Sequence, residues 1–420
     1  MNRLILVGNG FDLAHGLKTS YKDFIDDFWE DVIFNLNMFK SRDLHFSNEF
    51  IEISQNPHPT VDISNFKELA TNYTTLKNFL SFKNIRFDFK NVFFNTLSDT
   101  SVNNWVDIEN IYYFYLKQNI EKNKYPKFSD VSDLNEDFNQ TKKLLENYLS
   151  KINKDFNISN QITKHIQSIF NLQDIESKYQ TEIIKLFENN IQQLNIHDIK
   201  KLNKTLEFFL ENWRNQNNLE KENFIKSQAK NLGKDMLELL NLYPTKTLLL
   251  NFNYTNTTLD YIDEFNRING NKSDYKISEI HIHGELNNPE NPIIFGFGDD
   301  VDKKYQEFED LNDNRYLENF KSIAYLQTDN YKKLLEFIDS EEYQVFIFGH
   351  SCGISDRTML NTIFEHDNCK SIKPFYHLKK DGTDNYTEIV QNISRNFNDK
   401  KKYRDRVVNK TYCEPLTQSI

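Results

Sequence analysis

The loop that follows the first apolar run has a composition suited to binding phosphate. The run Asn2–Val7 predicts a buried parallel strand, and two glycines one residue apart, Gly8 and Gly10, come directly after it. Such glycines allow a tight strand-to-helix turn in which the backbone approaches a ligand, and bare N–H groups at the helix N-terminus would face that turn. The loop therefore predicts a nucleotide or phosphate site, formed by Gly8, Asn9, Gly10, Phe11 and Asp12.

The spacing in this loop differs from two common phosphate-binding motifs. Leu13 stands where the dehydrogenase fingerprint has its third glycine, and no Gly-Lys-Ser/Thr triplet follows as a P-loop requires. A glycine-rich turn that only closes an ordinary strand–helix unit remains an alternative interpretation.

Two histidines and an asparagine follow later apolar runs. His281 and His283 are two residues apart in the predicted strand Glu279–His283, so their side chains would share a face. His283, next to Gly284, is suited to act as a general base because imidazole titrates near neutral pH. His281 is expected to be a buried histidine with satisfied hydrogen bonds. Asn253 would hold a water or a sugar hydroxyl through its amide, or cap the following turn.

A rival chemistry is indicated by the segment Gly349–Gly353, which matches the G-x-S-x-G nucleophile elbow. Ser351 would be the nucleophile, and His377 with Asp381 or Asp384 would have to complete the site. Few residues follow Ser351, and the order histidine then aspartate is not that of the hydrolase fold.

The segment Trp105–Glu109 opens a predicted helix. Asp107 and Glu109 lie in its first turn, where they would either complement the helix dipole or serve in catalysis.

The strands that must position these loops are predicted near both ends of the sequence. They are Asn2–Val7, Thr245–Phe252, Glu279–His283, Pro292–Phe295, Val345–Phe348 and Ser371–His377. Helices are predicted between some of them, which favours an α/β fold with a mostly parallel, Rossmann-type sheet. Four polar loops would then open on one edge of the sheet, where such folds bind ligands. These loops are Gly8–Gly16, Asn251–Asn256, His281–Gly284 and Gly349–Asp356.

The chain between the first and second strands is predicted to be a large helical insertion. Helix-period stretches recur there, at Tyr21–Phe34, Asn104–Lys117, Asp137–Lys151, Ile162–Phe170, Glu182–Leu194 and Asn203–Trp213, whereas Phe46–Pro59 is expected to be a loop. We therefore expect an α/β nucleotide-binding domain from residues 1–20 and 241–400, a helical insertion or cap at 21–240, and a C-terminal tail at 401–420. The basic residues of that tail would form either a local patch or a solvated, frayed terminus.

The composition limits the class of protein and its partners. The 420 residues, about two to three domains' worth, carry a net charge of −11, which argues against general nucleic-acid binding because phosphate neutralisation needs surplus Lys and Arg. The three cysteines show no CxxC spacing, and no third and fourth zinc ligands accompany the histidines, so reduced thiols and no metal are expected. A leader sequence and an 18-residue apolar run are both missing, so we expect a cytoplasmic protein without membrane contact.

Taken together, these segments resemble the bacteriophage abortive-infection AbiH family. The matching segments occur in the family's order and are LILVGNGFDLAHGLKTSYKDF near the start, WVDIE at 105–109, LLLNFNYTNT, HIHGELNNP, IIFGFGD and FIFGHSCGISD. The resemblance implies a bacterial antiviral protein that halts the growth of an infected cell.

A more distant resemblance to sirtuins bears on mechanism. Gly8, Gly10 and Gly16 fall on the three glycines of the sirtuin turn GAG-I-S-x-x-x-G-I-P. The segment FNYT is similar to the Gln-Asn-Ile-Asp motif, His283-Gly284 to the catalytic His-Gly, and Gly349-His-Ser351 to the Gly-Thr-Ser that holds the adenosine end of NAD. The resemblance implies a sirtuin-like core with NAD as substrate or ligand.

This resemblance assigns roles to the candidate residues. Asn253 and His283 would be catalytic in cleaving the nicotinamide–ribose bond, and the nucleotide would be bound by Gly8, Asn9, Gly10, Phe11, Asp12, Gly349, Ser351 and Asp356. No four-cysteine zinc module is present, so protein deacetylation is not expected. Asp12 replaces the sirtuin serine and would repel a pyrophosphate if it pointed inward; otherwise it would bond a ribose hydroxyl, ligate a cation or cap the helix.

Three functions therefore remain open from the sequence. The first is an antiviral effector that hydrolyses NAD, with the helical region sensing a phage-encoded trigger, binding a partner protein or forming a homo-oligomer. The second is a phage sensor that binds a nucleotide without turning it over. The third is a hydrolase or nuclease acting through Ser351.

Overall fold

The chain divides into two compact units. The structure is a computed structural model that describes residues 1–38, 44–54, 70–100, 105–121, 127–152, 156–193, 217, 220, 243–269, 275–299 and 302–417. The first unit comprises Met1–Gly16, Asp155–Glu285 and Thr328–Ile420, and the second comprises Leu17–Lys154 and Leu286–Gln327. Within the described residues, this division has 286–299 and 302–327 in the second unit and 156–193 in the first, whereas the sequence-based boundaries assign each of these ranges the other way.

The described residues contain eight strands and a larger number of helices. The strands are β1 (Asn2–Val7), β2 (His45–Ser47), β3 (Ile51–Ser54), β4 (Arg86–Phe89), β5 (Lys246–Asn251), β6 (Lys276–His281), β7 (Tyr343–Phe348) and β8 (Cys369–Phe375). The helices are α1 (Asn9–Ala14), α2 (Tyr21–Met38), α3 (Tyr73–Phe82), α4 (Val92–Asp99), α5 (Trp105–Ile120), α6 (Val131–Lys151), α7 (Asn160–Ile166), α8 (Ser177–Gln193), α9 (Leu259–Asn269), α10 (Lys303–Asp310), α11 (Lys321–Ala324), α12 (Asn330–Ser340), α13 (Arg357–Glu365), α14 (Tyr386–Arg395) and α15 (Lys400–Arg406).

The first unit is built on a five-stranded sheet in the order β6-β5-β1-β7-β8. All four pairings are parallel, and Leu4 in the central strand lies opposite Leu248 on one side and Val345 on the other. Parallel strands covered on both faces are apolar along their whole length, which explains the continuous runs in β1, β5 and β7. The prediction of an α/β fold with a mostly parallel, Rossmann-like sheet is confirmed.

This strand order creates a point where the chain reverses direction across the sheet. Strands β5 and β6 lie on one side of β1, and β7 and β8 lie on the other. In open sheets of this kind ligands bind outside the carboxyl ends of the strands at such a reversal, which here falls between β1 and β7. The loops that begin at Gly8 and Gly349 border it.

A hydrophobic core joins distant parts of the chain within the first unit. Buried aliphatic and aromatic side chains from the sheet and its helices pack together, and include Ile5, Val7, Phe11, Ile162, Phe346, Phe348, Phe375 and Leu416. Burying such side chains contributes roughly 1.5–3 kcal/mol each.

The second unit contains a short antiparallel sheet besides its helices. Its order is β2-β3-β4, so the predicted loop Phe46–Pro59 is wrong over residues 46–47 and 51–54. Ile51 and Ile53 alternate with half-buried polar residues in β3, as expected for a strand with one buried face. Residues 55–59 of that prediction, and the predicted helix Asn203–Trp213, lie outside the described residues.

Other expectations also need correction. Residues 292–295 form no strand, although Ile293, Ile294 and Phe295 are buried. Strand β6 ends at His281, and His283 lies in the turn that follows it. The described part of the C-terminal segment is not a frayed tail, because it contains α15 and pairs with β8 through Val407 and Ile372. None of the helices within the described ranges is both long and apolar enough to cross a bilayer.

Candidate functional site

The loop after β1 packs directly on the loop after β7. The Gly8 N–H donates to the Phe348 carbonyl at 3.0 Å, and the Gly10 N–H donates to the Gly349 carbonyl at 2.9 Å. A Cβ atom on Gly10 would lie 2.8 Å from the Gly349 Cα, and one on Gly8 would lie 2.5 Å from the His350 Cα. Gly8 and Gly10 are therefore required because two backbone segments approach each other closely. The sequence analysis had explained the same glycines by the close approach of a ligand.

This packing uses donors that were expected to face a phosphate. The Gly10 N–H is bonded to Gly349, and the Phe11 N–H donates to the Gly8 carbonyl at 2.8 Å. The prediction of bare amides at the start of α1 is therefore wrong for these two residues. The Phe11 ring is directed into the core, where it stacks on Phe348 with ring centroids 6.3 Å apart, and Asn9 is half-buried.

Asp12 is buried and connects α1 to the loop after β5. The Thr255 hydroxyl donates to its Oδ2 at 2.5 Å and the Thr257 hydroxyl to its Oδ1 at 2.7 Å. Burial raises the pKa of Asp12 to about 6, and the hydrogen bonds from the two threonines act in the opposite direction. Both carboxylate oxygens thus accept hydrogen bonds from the loop after β5 and hold α1 on that loop. These hydrogen bonds stabilise the charged form of Asp12 and do not remove the negative charge that the sequence analysis set against a pyrophosphate.

Asn253 holds the loop after β1 in place. Its side-chain amide donates to the Gly8 carbonyl at 3.0 Å, and its own N–H donates to Oδ1 of Asn251 at 2.9 Å. Asn253 is 8% exposed, so this bond is shielded from water. The sequence analysis placed the loops that contain Asn253 and Gly8 on one edge of the sheet. The Asn253 side chain bonds the Gly8 carbonyl and also forms a hydrogen bond with the Asp12 carboxylate.

His281 is a buried histidine with protein partners, as predicted. Its Nε2 lies 3.2 Å from Oε1 of Glu279, and its Nδ1 lies 3.3 Å from the Asn253 carbonyl. Burial acts to lower the pKa of His281, but the hydrogen bond and charge of Glu279 outweigh it and raise the pKa above its usual value. Glu279 also accepts from the Asn251 side chain at 3.0 Å, which joins β5 to β6.

A second cluster contains His283, Asp356, His350 and Phe252. The His283 Nε2 lies 3.2 Å from Oδ1 of Asp356, and the His350 Nε2 lies 3.7 Å from Oδ2 of the same carboxylate. The Phe252 ring contacts both imidazoles, with centroids 4.9 Å from His283 and 4.1 Å from His350. All four side chains are buried, so the carboxyl group of Asp356 lies beside both rings in a poorly solvated environment.

The segment Gly349–Gly353 does not have the conformation of a nucleophile elbow. In an elbow the serine itself occupies the strained position of a sharp strand-to-helix turn. Here positive φ angles fall on Gly349, at 69°, and on Cys352, at 54°, but not on Ser351. Ser351 is half-buried and His377 is exposed.

Glu109 belongs to a buried ion pair in the second unit. Its Oε1 lies 2.8 Å from the Lys321 Nζ, and both side chains are almost fully buried. The Gly296 N–H also points at this oxygen, at 3.4 Å. Glu109 is therefore paired with a lysine, whereas the sequence predicted that it complements the helix dipole or serves in catalysis.

The part of the chain that the structure describes contains no group of three or more His, Cys, Asp or Glu side chains that could hold a metal ion.

The structure brings together the four loops that the sequence selected. Hydrogen bonds or ring contacts join the loop after β1 to those after β5 and β7, and join those after β5 and β6 to that after β7. Sequence reasoning missed His350 and Phe252. The position of His350, one residue after the glycine that ends an apolar run, could have marked it as a site residue. Phe252 could not be distinguished from an ordinary core residue by its sequence.

A comparison with protein families identifies one match over most of the chain. The model of a family described as bacteriophage abortive infection AbiH matches residues 4–377. No curated protein and no solved structure matches the chain significantly.

Proposed function

The chain belongs to the AbiH family of bacteriophage abortive-infection proteins, and within that role we propose that it binds a nucleotide above the carboxyl edge of its parallel sheet and hydrolyses NAD at the nicotinamide–ribose bond. The sirtuin-like relationship of its core is part of this proposal.

The observation that carries the proposal is the contact between His283 and Asp356. Their side chains approach to 3.2 Å, and they come from loops after β6 and β7 that lie beyond the carboxyl ends of the sheet. Ligands of sheets with this strand order bind at that edge. A histidine paired with a carboxylate is a common arrangement for a general base, because the carboxylate stabilises the protonated ring.

In the proposed reaction the bond between C1′ of the ribose and the nicotinamide nitrogen breaks. Its electron pair goes to the nicotinamide, which leaves as a neutral molecule, and the oxocarbenium-like ribose is attacked by water. His283 takes the proton that the water loses, so the products are nicotinamide, ADP-ribose and one proton. A well-placed general base contributes roughly 10²–10⁴-fold to such a rate.

Asn253 contributes to this proposal by fixing the loop that borders the nucleotide. Its amide holds the Gly8 carbonyl at 3.0 Å, so its role becomes positioning of the backbone. Gly349 and Ser351 are proposed to contact the adenosine end. The two threonine hydroxyls hold the Asp12 carboxylate on the loop after β5, so the proposal gives Asp12 a structural role beside the nucleotide.

A second candidate is a sensor that binds a nucleotide without turnover. The amides of Gly10, Phe11 and Asn253 donate to carbonyls of the chain itself. Fewer amides are then left to orient a pyrophosphate and an attacking water, which favours binding without turnover. For either candidate we propose a phage-encoded trigger, with a partner protein or a second copy of the chain bound through the helical region.

The test compares NAD in infected cells, where any trigger is present. Cells carrying the wild-type chain should lose NAD and accumulate nicotinamide and ADP-ribose after infection with a phage that the protein blocks. His283→Ala should abolish this loss, whereas His377→Ala, which removes an exposed histidine, should preserve it. An unchanged NAD pool in protected, infected cells would reject NAD hydrolysis and favour the sensor.

Ser351→Ala distinguishes the hydrolase alternative. A serine that contacts adenosine should mainly raise the KM for NAD, measured with purified protein and lysate of infected cells. Complete loss of protection in Ser351→Ala, with NAD levels constant in the wild type, would instead indicate a nucleophilic serine.

A further inference from the structure

The loop after β7 is attached to the C-terminal end of α14 by two asparagine side chains. The Asn392 amide donates to the Ser351 carbonyl at 2.8 Å, and the Asn396 amide donates to the Cys352 carbonyl at 2.9 Å. The family match ends at residue 377, so both asparagines lie beyond it. Because the acceptors are successive backbone carbonyls, these hydrogen bonds fix the path of the loop itself.

Asn396 uses both hydrogens of its side-chain amide in this contact. The amide nitrogen lies 2.9 Å from the Cys352 carbonyl and 2.9 Å from the Asn392 carbonyl, one turn earlier in α14. Carbonyls only accept hydrogen bonds, so the nitrogen and not the oxygen of the amide must face them. Asn396 is 1% exposed, and its backbone carbonyl accepts from the Asn361 side chain at 2.8 Å, which joins it to α13.

Asn392 presents a donor to the loop and an acceptor to its own helix. Its side-chain nitrogen faces the Ser351 carbonyl, and its Oδ1 accepts from the Arg395 Nη1 at 2.5 Å. A guanidinium only donates, so the orientation of the amide is fixed at both ends. Asn392→Asp would therefore keep the acceptor for Arg395 and lose the donor to the loop.

The part of the loop that these side chains hold has an unfavourable backbone conformation. Cys352 has a φ of 54°, in the left-handed region that favours glycine. Its N–H donates to the His350 Nδ1 at 3.1 Å, and its carbonyl accepts from Asn396. A residue remains in such a conformation when its surroundings determine it, and here hydrogen bonds act on both sides of Cys352.

We infer that Asn392 and Asn396 are positioning residues for the candidate site, because they hold the loop that carries Ser351 and Asp356 at the carboxyl edge of the sheet. Since Ser351 is proposed to contact the adenosine end of NAD, the two asparagines also determine how tightly the nucleotide binds. This second step rests on the proposed function. The attachment of the loop is a property of the protein without ligand and can be measured without turnover.

The test uses the thiol of Cys352 as a probe of the loop. Cys352 and Cys369, the latter in β8, are both fully buried, so iodoacetamide reaches either thiol only when the structure opens. Peptide mass spectrometry of the full chain reports the labelling of each cysteine separately. In Asn392→Asp the alkylation of Cys352 should be about 3- to 10-fold faster, as expected for one lost hydrogen bond, while Cys369 keeps its wild-type rate.

Gln391→Glu is the matched control, because it replaces an amide by a carboxylate at the exposed neighbouring position of α14. It should leave both rates unchanged. Asn396→Ala should accelerate Cys352 at least as much as Asn392→Asp, since two carbonyls lose their donor. Unchanged labelling of Cys352 in Asn392→Asp, or equal acceleration of Cys352 and Cys369 in that variant, would overturn the inference.

The kinetics of nicotinamide release, with purified protein and lysate of infected cells, test the second step. In Asn392→Asp the KM for NAD should rise about 3- to 10-fold with kcat nearly constant, whereas a loss of folded protein would lower the apparent kcat and leave KM unchanged. An unchanged KM beside faster labelling of Cys352 would refute the link to nucleotide binding. Faster labelling without any nicotinamide release would reject the proposed reaction and retain both asparagines as the residues that hold the loop.

Discussion

Asp12 shows how a single buried carboxylate can connect pH to the stability of the first unit. Both of its oxygens accept from threonine hydroxyls, and burial raises its pKa to about 6 from the usual 3.8 of an aspartate. Between these two pH values the folded protein holds a proton that the unfolded chain has released. Raising the pH through this window therefore favours unfolding, and above about 6 the effect is complete.

We predict that Asp12→Asn removes this pH dependence. Relative to wild type, the free energy of unfolding of the variant should rise by about 2 kcal/mol between pH 4.5 and pH 7.5, because only the wild type loses stability over this range. Urea unfolding at the two pH values measures the difference, and groups common to both proteins cancel. Asp263→Asn, which replaces an exposed acid in α9, should show no such change. An Asp12→Asn difference that is the same at both pH values would contradict the burial argument.

At the residue scale the sequence identified the important side chains better than their partners. Asp12, His283 and Asp356 were all selected, but the threonines that bind Asp12 are 243 and 245 residues away in the chain. Such pairings depend on strand order, which one sequence does not specify. The contact of His283 with Asp356 was hidden for the same reason, since His283 had been assigned to catalysis and Asp356 to nucleotide binding.

At the element scale, the contact between the loops after β1 and β7 sets a strict limit on side-chain size. A Cβ atom on Gly349 would lie 2.2 Å from the Phe11 backbone nitrogen, and Gly349 has a φ of 69°. Gly382 provides a matched comparison, because its φ is 82° but a Cβ atom there would meet no atom within 4 Å. Comparing alanine substitutions at Gly349 and Gly382 separates the destabilisation caused by a left-handed backbone from that caused by a steric clash of the new Cβ atom.

We predict that Gly382→Ala destabilises the protein by about 1 kcal/mol, from backbone strain alone. Gly349→Ala should cost about 4 kcal/mol, because it adds overpacking against backbone that cannot move like a side chain. Hydrogen exchange of the amides in β1 and β7 measures both variants. Equal effects of the two substitutions would mean that the loops can separate at little cost.

Strands were predicted correctly where a segment is both buried and hydrogen-bonded to neighbouring strands. The apolar runs of β1, β5 and β7 are buried on both faces and paired on both sides, so the pattern located them. Residues 293–295 are also apolar and buried but belong to no strand, since hydrophobicity reports burial and not hydrogen bonding. The strands β2 and β3 were missed because Pro57 and Pro59 weighed against them, although both prolines follow the end of β3 at Ser54.

At the scale of the whole molecule, the first unit is assembled from the two ends of the chain and part of its middle. Its central strand is β1, its other strands come from residues 246–375, and Leu416 packs in the same core as Ile5. The described C-terminal residues continue this assembly: Val408 donates to the Ile372 carbonyl at 2.9 Å and Leu416 to the Tyr376 carbonyl at 2.8 Å. The amino-acid composition had suggested a solvated C-terminal tail because it gives the charged residues of the segment but not the residues that they contact.

Two arginines in α15 test whether this last segment is structural. Arg406 is buried and donates to the carbonyls of Phe364 and His366, each at 2.8 Å, whereas Arg404, two residues earlier, is exposed. We predict that Arg406→Ala lowers the stability of the first unit by about 3 kcal/mol, because hydrogen bonds from a charged donor are lost and buried carbonyls remain unsatisfied. Arg404→Ala should change it by less than about 0.5 kcal/mol.

Hydrogen exchange of the amides in β8 and α13 measures the Arg406 prediction where its partners lie. Arg406→Lys should give an intermediate loss, since one ammonium group cannot reproduce the fork of a guanidinium that reaches two carbonyls. Faster exchange confined to α15 itself would mean that the segment lies on the first unit without stabilising it. Exchange that rises throughout β8 would show that a sheet begun by residues 2–7 depends on a helix that starts at residue 400.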